Sequence, residues 1–576
     1  MEAKKPRKLP YGMSNFETLI TSNYVYVDKT RFVEYIENES NRNLFFTRPR
    51  KFGKSLFLNM LSHYYDFGMA DKFERLFGDL YIGKHPTPNK NNYVVLDLDF
   101  SGLDTTSEER FRESFAGRIE GAVSNCFLSH RDIIPNAETV SDELDRANGR
   151  IGIAALNLVF SLAKKNDKKV FIIIDEYDHF ANDIIATGEG DGDEYYRKMV
   201  GANSIVRDFY ETLKINSKTV IERILIVGIT PIMLDDMTSG FNISNNISLD
   251  PTYNEILGFT HEEVEYLIRE ANIDPSWINI DLKKLYNGYL FHSRGENPVY
   301  NPSMMLYIFN QILKFKNENK DLIDENLKMD YGRISMLFRR EENRQQLMDI
   351  VNNGSIRGEV IPKFSLNELT ESSRFVSLLF YFGLLTIDNT TPKPMLTIPN
   401  YSIKMVYLEY ISKLTRDRNE KIREDFSILS GATYDLAFDG KAQQFIEYIS
   451  TVFVSKLSDR DLRQFDEKYL KIILLTNLFY GKYFIPISEM EVSEGVTDIY
   501  LMRSGIFRDM PYEWVWEIKY VKQKDAGKAT VIEAKKQQSR EQLAKYRASH
   551  LFRDRTDVRY LSVIFIGKKK VEIEEI

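Results

Sequence analysis

Arg48-Pro49-Arg50-Lys51-Phe52-Gly53-Lys54-Ser55 decides the reading of the first half of this chain. A full phosphate-binding loop is Gly, four residues, then Gly-Lys-Ser or Gly-Lys-Thr. Gly53-Lys54-Ser55 closes that motif, and Arg48 stands where the first Gly belongs. The flanks suit it: the apolar run Leu44–Thr47 predicts a strand that ends at the loop, and Lys54–Tyr65 predicts a helix that begins at the Lys. A strand–loop–helix of this kind aims a helix N-terminus at phosphate oxygens. In that reading Lys54 reaches the β- and γ-phosphates and Ser55 ligates Mg²⁺. Gly-Lys-Ser alone is common, and an ordinary strand–turn–helix is the competing reading.

Two further stretches separate these readings. Phe171-Ile172-Ile173-Ile174-Asp175-Glu176 is an apolar strand ending in two carboxylates. Asp175 suits the Mg²⁺ ion, and Glu176 suits polarising the water that attacks a γ-phosphate. Thr230 closes Ile224–Thr230, another apolar run, and suits a polar sensor of that phosphate. The nucleotide-binding set read this way is Arg48, Arg50, Gly53, Lys54, Ser55, Leu56, Asp175 and Thr230. Two roles compete for the arginines: Arg48 or Arg50 adds a forked cation near the phosphates, or both pair with acidic residues nearby.

Near the other end, Gly495-Val496-Thr497-Asp498 precedes Glu517-Ile518-Lys519. Residues two apart on a strand share a face, so Glu517 and Lys519 project together from the strand-like Trp514–Tyr520. A hairpin through Ser504-Gly505 and Pro511 brings Asp498, on the strand-like Val496–Leu501, beside them. Two carboxylates and an ammonium then converge. Asp498 and Glu517 are positioned to bind Mg²⁺, and Lys519 to orient a water. Taken singly, Glu-x-Lys on a strand is most often a surface ion pair.

Leu9-Pro10-Tyr11-Gly12, Tyr26-Val27-Asp28-Lys29-Thr30 and Arg48 to Leu56 together resemble the AAA-ATPase-like family. Asp175-Glu176-Tyr177-Asp178, Ile247-Ser248-Leu249-Asp250, Tyr286-Asn287-Gly288-Tyr289 and Val299-Tyr300-Asn301-Pro302 extend the resemblance over most of the chain. It implies that Arg48 is a family trait, with Lys51 replacing the family's usual second Arg. It also implies a bacterial, ATP-binding protein with a C-terminal PD-(D/E)XK nuclease domain. Asp498 and Glu517-x-Lys519 resemble that core. The resemblance makes Glu491 an upstream acidic candidate and matches Gln542-x-x-x-Tyr546 to a helix after the core. For that pair, a hold on water or phosphate competes with solvent-facing decoration. The implied catalytic set is Asp498, Glu517, Lys519, Glu491, Gln542 and, in the first domain, Glu176. The implied metal ligands are Ser55, Asp175, Asp498 and Glu517.

The bulk numbers agree with such a protein. At 576 residues the chain is too long for one core. The fold class expected is α/β multidomain: a P-loop NTPase with a parallel sheet, ASCE/AAA-like, over 1–250, a helical lid over 251–410, and a PD-(D/E)XK nuclease-like α/β domain over 411–576, its core at about 472–570. The net charge of −7 argues against a surface coated for nucleic acid. Residues 519–570 nonetheless hold 15 Lys and Arg against 5 Asp and Glu. A phosphate-facing footprint and a solvated Lys-rich helix both account for that excess. No eighteen-residue apolar run predicts a membrane span, and Cys126, the sole cysteine, excludes an intrachain disulfide. With an N-terminus lacking the apolar stretch of a secretory signal, a cytoplasmic setting is expected. The functional expectation is an ATP- and Mg²⁺-using nuclease, with Mn²⁺ a possible substitute at the nuclease site. DNA is preferred over RNA as partner, no membrane is involved, and a homo-oligomer is possible. The alternative is an ATP-controlled switch that binds nucleic acid or protein through an inactive nuclease fold.

Overall fold

The structure, a computed structural model, describes residues 6–130, 151–187, 192–201, 204–232, 243–278, 280–316, 322–324, 341–365, 372–418, 426–456, 467–478, 483–493, 495–504, 507 and 509–576. The N-terminal sheet contains β1 (Asn43–Thr47), β2 (Tyr93–Asp99), β3 (Lys169–Asp175), β4 (Ile221–Gly228) and the two-residue β5 (Asn245–Asn246). Its order is β2-β3-β4-β1-β5, and every pairing is parallel. Parallel neighbours need crossovers, which helices such as α1 (Lys54–Tyr65), α2 (Glu108–Ser129) and α3 (Ile151–Lys165) supply. That is why β1 and β3 read as unbroken apolar runs: four of five β1 residues and six of seven β3 residues are buried. The order places β4 between the loop strand β1 and the carboxylate strand β3. The fourth strand was expected at 224–230; it runs three residues earlier and stops before Thr230. After β3 comes α4 (His179–Thr187).

The middle region begins with α5 (His261–Glu270), fixed by a capping box at Thr260. The Thr260 hydroxyl accepts from the Glu263 N–H, and the Glu263 carboxylate accepts from the Thr260 N–H. The turn-rich stretch ends at Asn301, whose side chain caps α6 (Pro302–Phe315). Beyond it the region is not only helical. Among α7 (Ser372–Tyr381) and α8 (Tyr401–Arg418) lies a small antiparallel sheet of β6 (Ser355–Arg357), β7 (Thr386–Ile387) and β8 (Met395–Thr397). Strands of two or three residues are too short to print an alternating pattern.

The C-terminal region departs from expectation at its start. The core expected from about 472 opens on a helix: residues 472–478 belong to α9 (Glu467–Leu478), buried from Leu470 to Leu478. A helix covered all round carries the same apolar run as a buried strand. Next comes β9 (Phe484–Val492); residues 481 and 482 lie outside the described residues. Then follow β10 (Gly495–Arg503), β11 (Glu513–Val521), α10 (Ala529–Ala548), β12 (Val558–Ile566) and β13 (Lys570–Glu575). The order is β13-β12-β11-β10-β9, antiparallel except for β11–β12, which α10 connects. Trp514 and Trp516 are fully buried on one face of β11; Trp516 packs on Phe445 and the Trp514 indole donates to the Leu436 carbonyl at 3.1 Å. Burial of each contributes about 3 kcal/mol. Leu543 and Tyr546 of α10 cover the other face with Val515 and Tyr560. Among the described residues no helix is long and apolar enough to cross a membrane.

Candidate functional sites: a phosphate loop and a row of carboxylates

The loop between β1 and α1 turns through two left-handed residues, Lys51 (φ 66°) and Gly53 (φ 95°). A Cβ on Gly53 meets nothing within 4 Å, so backbone conformation alone requires glycine there. Lys54 is buried, and its ammonium donates to the Arg48 and Pro49 carbonyls at 3.0 and 3.1 Å. The Ser55 hydroxyl donates to Asp175 at 2.6 Å, which brings the start of α1 to the end of β3. Burial, then the charge of Glu176, raises the Asp175 carboxyl to about 6. Burial also acts to raise Glu176, but His179, Lys54 and Arg50 outweigh it and hold it at about 2. Glu176 has φ 52°, a strained conformation for a residue with a side chain. The His179 ring lies 3.5 Å from Glu176 and 3.3 Å from Asp183. The first distance is long for a hydrogen bond, and His179 Nδ1 has no such partner, so the contact is a charge contact. Asp183 first, then Glu176, raises the imidazole to about 9.

A cavity of about 570 Å³ opens on this loop, and its lining includes Arg50, Gly53, Lys54, Ser55, Leu56, Asp175 and Glu176. Apolar side chains such as Met13, Tyr26, Leu257 and Leu306 also line it. The lining fits a nucleoside triphosphate with Mg²⁺: cations and a helix N-terminus stand with a hydroxyl–carboxylate pair, and apolar surface lines the same cavity.

Two expected members do not belong to that wall. Arg48 is 1% exposed and faces inward. Its guanidinium donates to the Thr47, Ser248 and Tyr253 carbonyls at 2.9, 2.7 and 2.6 Å and lies over the rings of Phe46 and Phe291. It does not line the cavity, and among the described residues it pairs with no carboxylate; it ties the loop to the segment after β5. Thr230 is fully buried, and its hydroxyl donates to Asp178 at 2.6 Å, which takes it out of the cavity. Arg50 alone of the two arginines lines the wall.

In the C-terminal sheet, Ile499 pairs with Trp516, so the antiparallel register sets Asp498 across from Glu517. One Asp498 oxygen accepts the Ile518 N–H at 2.7 Å, and the other meets the Lys471 ammonium at 2.6 Å. Lys471, from α9, also pairs with Glu489. Glu517 is 1% exposed; one of its oxygens takes Lys519 at 2.5 Å, and the other is buried without a partner. Burial, then the charge of Asp498, pushes the Glu517 carboxyl well above the usual carboxylate range. Tyr546 of α10 faces this centre, and Gln542 lies one turn before it on the same side of the helix. The Gln542 amide oxygen is a second buried atom without a partner, and the Tyr546 hydroxyl donates to the Val496 carbonyl at 2.6 Å. Burial and the charges of Glu517 and Asp498 raise the phenol. Glu491 pairs with Val496 through its backbone; its side chain lies outside the described residues.

Among the described residues no group of three or more His, Cys, Asp or Glu is arranged to hold a metal, and lysines stand on Asp498 and Glu517. The donor chemistry still fits a hard divalent cation: carboxylates and an amide oxygen, two of them buried with a lone pair unused.

These two centres lie inside two matched families. A family model described as "Predicted AAA-ATPase" covers residues 10–238, and one described as "PD-(D/E)XK nuclease superfamily" covers 465–575. The chain carries both domains. A protein of Azotobacter chroococcum mcd 1, described as "Uncharacterized protein in vnfD 5'region", is 23% identical over 404 residues, which span 69% of this chain and 68% of that protein.

Three site residues escaped the sequence reading. Lys471 had a signal: it is a single cation inside the apolar run Leu470–Leu475. His179 had a weaker one, three residues past Glu176 at a helix start. Glu489 had none, since its place depends on strand register. The basic excess of residues 519–570 is also reduced in three dimensions. Lys536 pairs with Glu572, Arg540 with Glu574 and Arg559 with Glu575, all acids of β13 beyond the counted window.

Proposed function

We propose that this protein is an ATP-regulated, metal-dependent nuclease. In this reading residues 1–250 bind and hydrolyse Mg–ATP, 251–410 form a lid and relay, and 411–576 cut nucleic acid phosphodiesters, DNA before RNA, in the cytoplasm. Asp498 facing Glu517 across adjacent strands, with one Glu517 oxygen buried and unpartnered, is the observation that carries it.

On the nucleotide side, Lys54 exchanges two carbonyl acceptors for phosphate oxygens, a stronger, charge-assisted set of bonds. Ser55 and Asp175 would hold Mg²⁺, a role supported by the hydrogen bond between them. Glu176, ionised at any ordinary pH, accepts from the attacking water. On the nuclease side, Asp498 and Glu517 would hold Mg²⁺ or Mn²⁺, with the Gln542 amide oxygen beside them. A divalent ion bound there supplies charge neutralisation at the scissile phosphate and lowers the pKa of water. Lys519, 2.5 Å from Glu517, would orient that water or stabilise developing charge.

A binding switch with a silent nuclease fold is the second reading. It is favoured by Asp498 having both oxygens already satisfied by the protein. Cleavage of plasmid, single-stranded DNA and RNA with Mg²⁺ or Mn²⁺, by the wild type and Asp498→Ala, separates the two. The nuclease reading expects cleavage from the wild type alone. Equal background from both leaves only the switch.

A further inference from the structure

The β9–β10 register pairs Thr497 with Met490 and Ile499 with Ser488, which sets Asp498 opposite Glu489. Asp498 is opposite Glu517 on its other side. Three carboxylates therefore lie in one row across three adjacent strands. Like charges directly opposite in a sheet repel, so an unbridged row is unfavourable. Glu489, in the middle of β9, has φ 55°, a left-handed conformation that a strand residue does not adopt unaided. The bridge is Lys471, only 10% exposed, 2.6 Å from Asp498 and paired with Glu489.

We propose that Lys471 is the resident cation of this row, standing on Asp498 until a divalent ion displaces it, and that it thereby sets the metal affinity of the centre. The proposal rests on the nuclease reading of Asp498 and Glu517. The Ile518 N–H already holds one Asp498 oxygen, so an ion reaches Asp498 through the oxygen that Lys471 occupies. Glu517 and Gln542 each leave a buried oxygen unused, and the lysine does not fill those places. A lysine suits an exchangeable role: its ammonium is a compact charge on a flexible stem, without the rigid fork of arginine. Glu489, 41% exposed at its side chain, gives the displaced ammonium an anchor near solvent.

The test is Mn²⁺ titration of the full chain, without nucleotide, followed by electron paramagnetic resonance. Wild type, Lys471→Gln, Lys471→Arg and Asp498→Asn are compared, with melting curves in EDTA and in Mn²⁺. The centre is the Mn²⁺ site that Asp498→Asn abolishes, which sets apart any ion at Ser55 and Asp175. Lys471→Gln is expected to bind Mn²⁺ there about tenfold tighter, a fraction of what a unit charge about 4 Å away exerts. It is also expected to melt below wild type in EDTA and to recover in Mn²⁺. Lys471→Arg keeps the charge and is expected to bind no tighter than wild type. Unchanged or weaker binding by Lys471→Gln, with an Asp498-dependent site present in wild type, overturns the proposal, as does equal tightening by Lys471→Arg. Absence of any Asp498-dependent Mn²⁺ site, in wild type and Lys471→Gln alike, overturns the metal-dependent reading itself.

Discussion

Each candidate site keeps a buried lysine at its centre, and the two lysines are held differently. Lys54 rests on two neutral backbone carbonyls, while Lys471 rests on two carboxylates and Lys519 on a third. A bond to a charged acceptor is roughly twice as strong as one to a neutral acceptor. In the proposed reading the phosphate loop holds its cation loosely and gains by handing it to a triphosphate. The carboxylate row has its charge compensated from within, and an incoming ion must compete for its place. One site is poised to receive a ligand; the other is closed by an internal counter-ion.

The sharpest way to break this comparison is to remove the shared carboxylate. Asp498→Asn keeps the acceptor for Ile518 N–H but loses the charge that holds Lys471 or a metal. Cleavage is expected to fall by roughly 10³-fold, while ATP binding stays at the wild-type level. A loss of both activities together would mean that Asp498 supports the fold rather than the chemistry.

Arg48 comes next and tests stability. Arg48→Ala removes the guanidinium donor from three carbonyls and opens space between Phe46 and Phe291. A loss of about 3 kcal/mol in urea unfolding is expected, with ATP affinity of the folded protein little changed. A large affinity loss at unchanged stability would return Arg48 to the phosphates. Lys54→Ala is expected to do the reverse: about 100-fold weaker ATP binding by calorimetry, with a smaller change in stability, since neutral carbonyls lose less than carboxylates do.

Periodicity and local spacing made most of the fold legible. The strand ending at Thr47 and the helix at Lys54–Tyr65 stand where their residues place them. So does the meeting of Asp498 with Glu517, because a two-residue period and a hairpin fix it. The direction of a side chain at a loop's first residue is not encoded that way. Arg48 left two roles open in the sequence, a cation near phosphates or a partner of acidic residues, and the structure buries it among carbonyls. Thr230 likewise ends an apolar run at the expected place, yet Asp178 turns its hydroxyl inward. The row through Glu489 depends on the pairing of β9 with β10, and no spacing in the sequence announces it. The helix containing Lys471 was hidden because an all-apolar helix and an apolar strand share one pattern.

The smallest expected effect lies at His179, which gives the phosphate loop an electrostatic clamp of its own. The imidazole is raised from 6.5 to about 9 between Asp183 and Glu176. A histidine with a raised pKa in the folded state contributes stability that is complete below its unfolded value and is lost as the pH climbs through its folded value. The window is therefore pH 6.5 to about 9. Melting curves of the wild type are expected to decline across that window by about 2 kcal/mol, a value reduced from the full shift for partial solvent screening. His179→Gln is expected to flatten the decline. It also leaves Glu176 without its neighbouring cation, so ATP turnover is expected to change while ATP affinity, set by Lys54, holds. A decline of the same size in both proteins would place the titrating group elsewhere and leave Glu176 held by Lys54 and Arg50 alone.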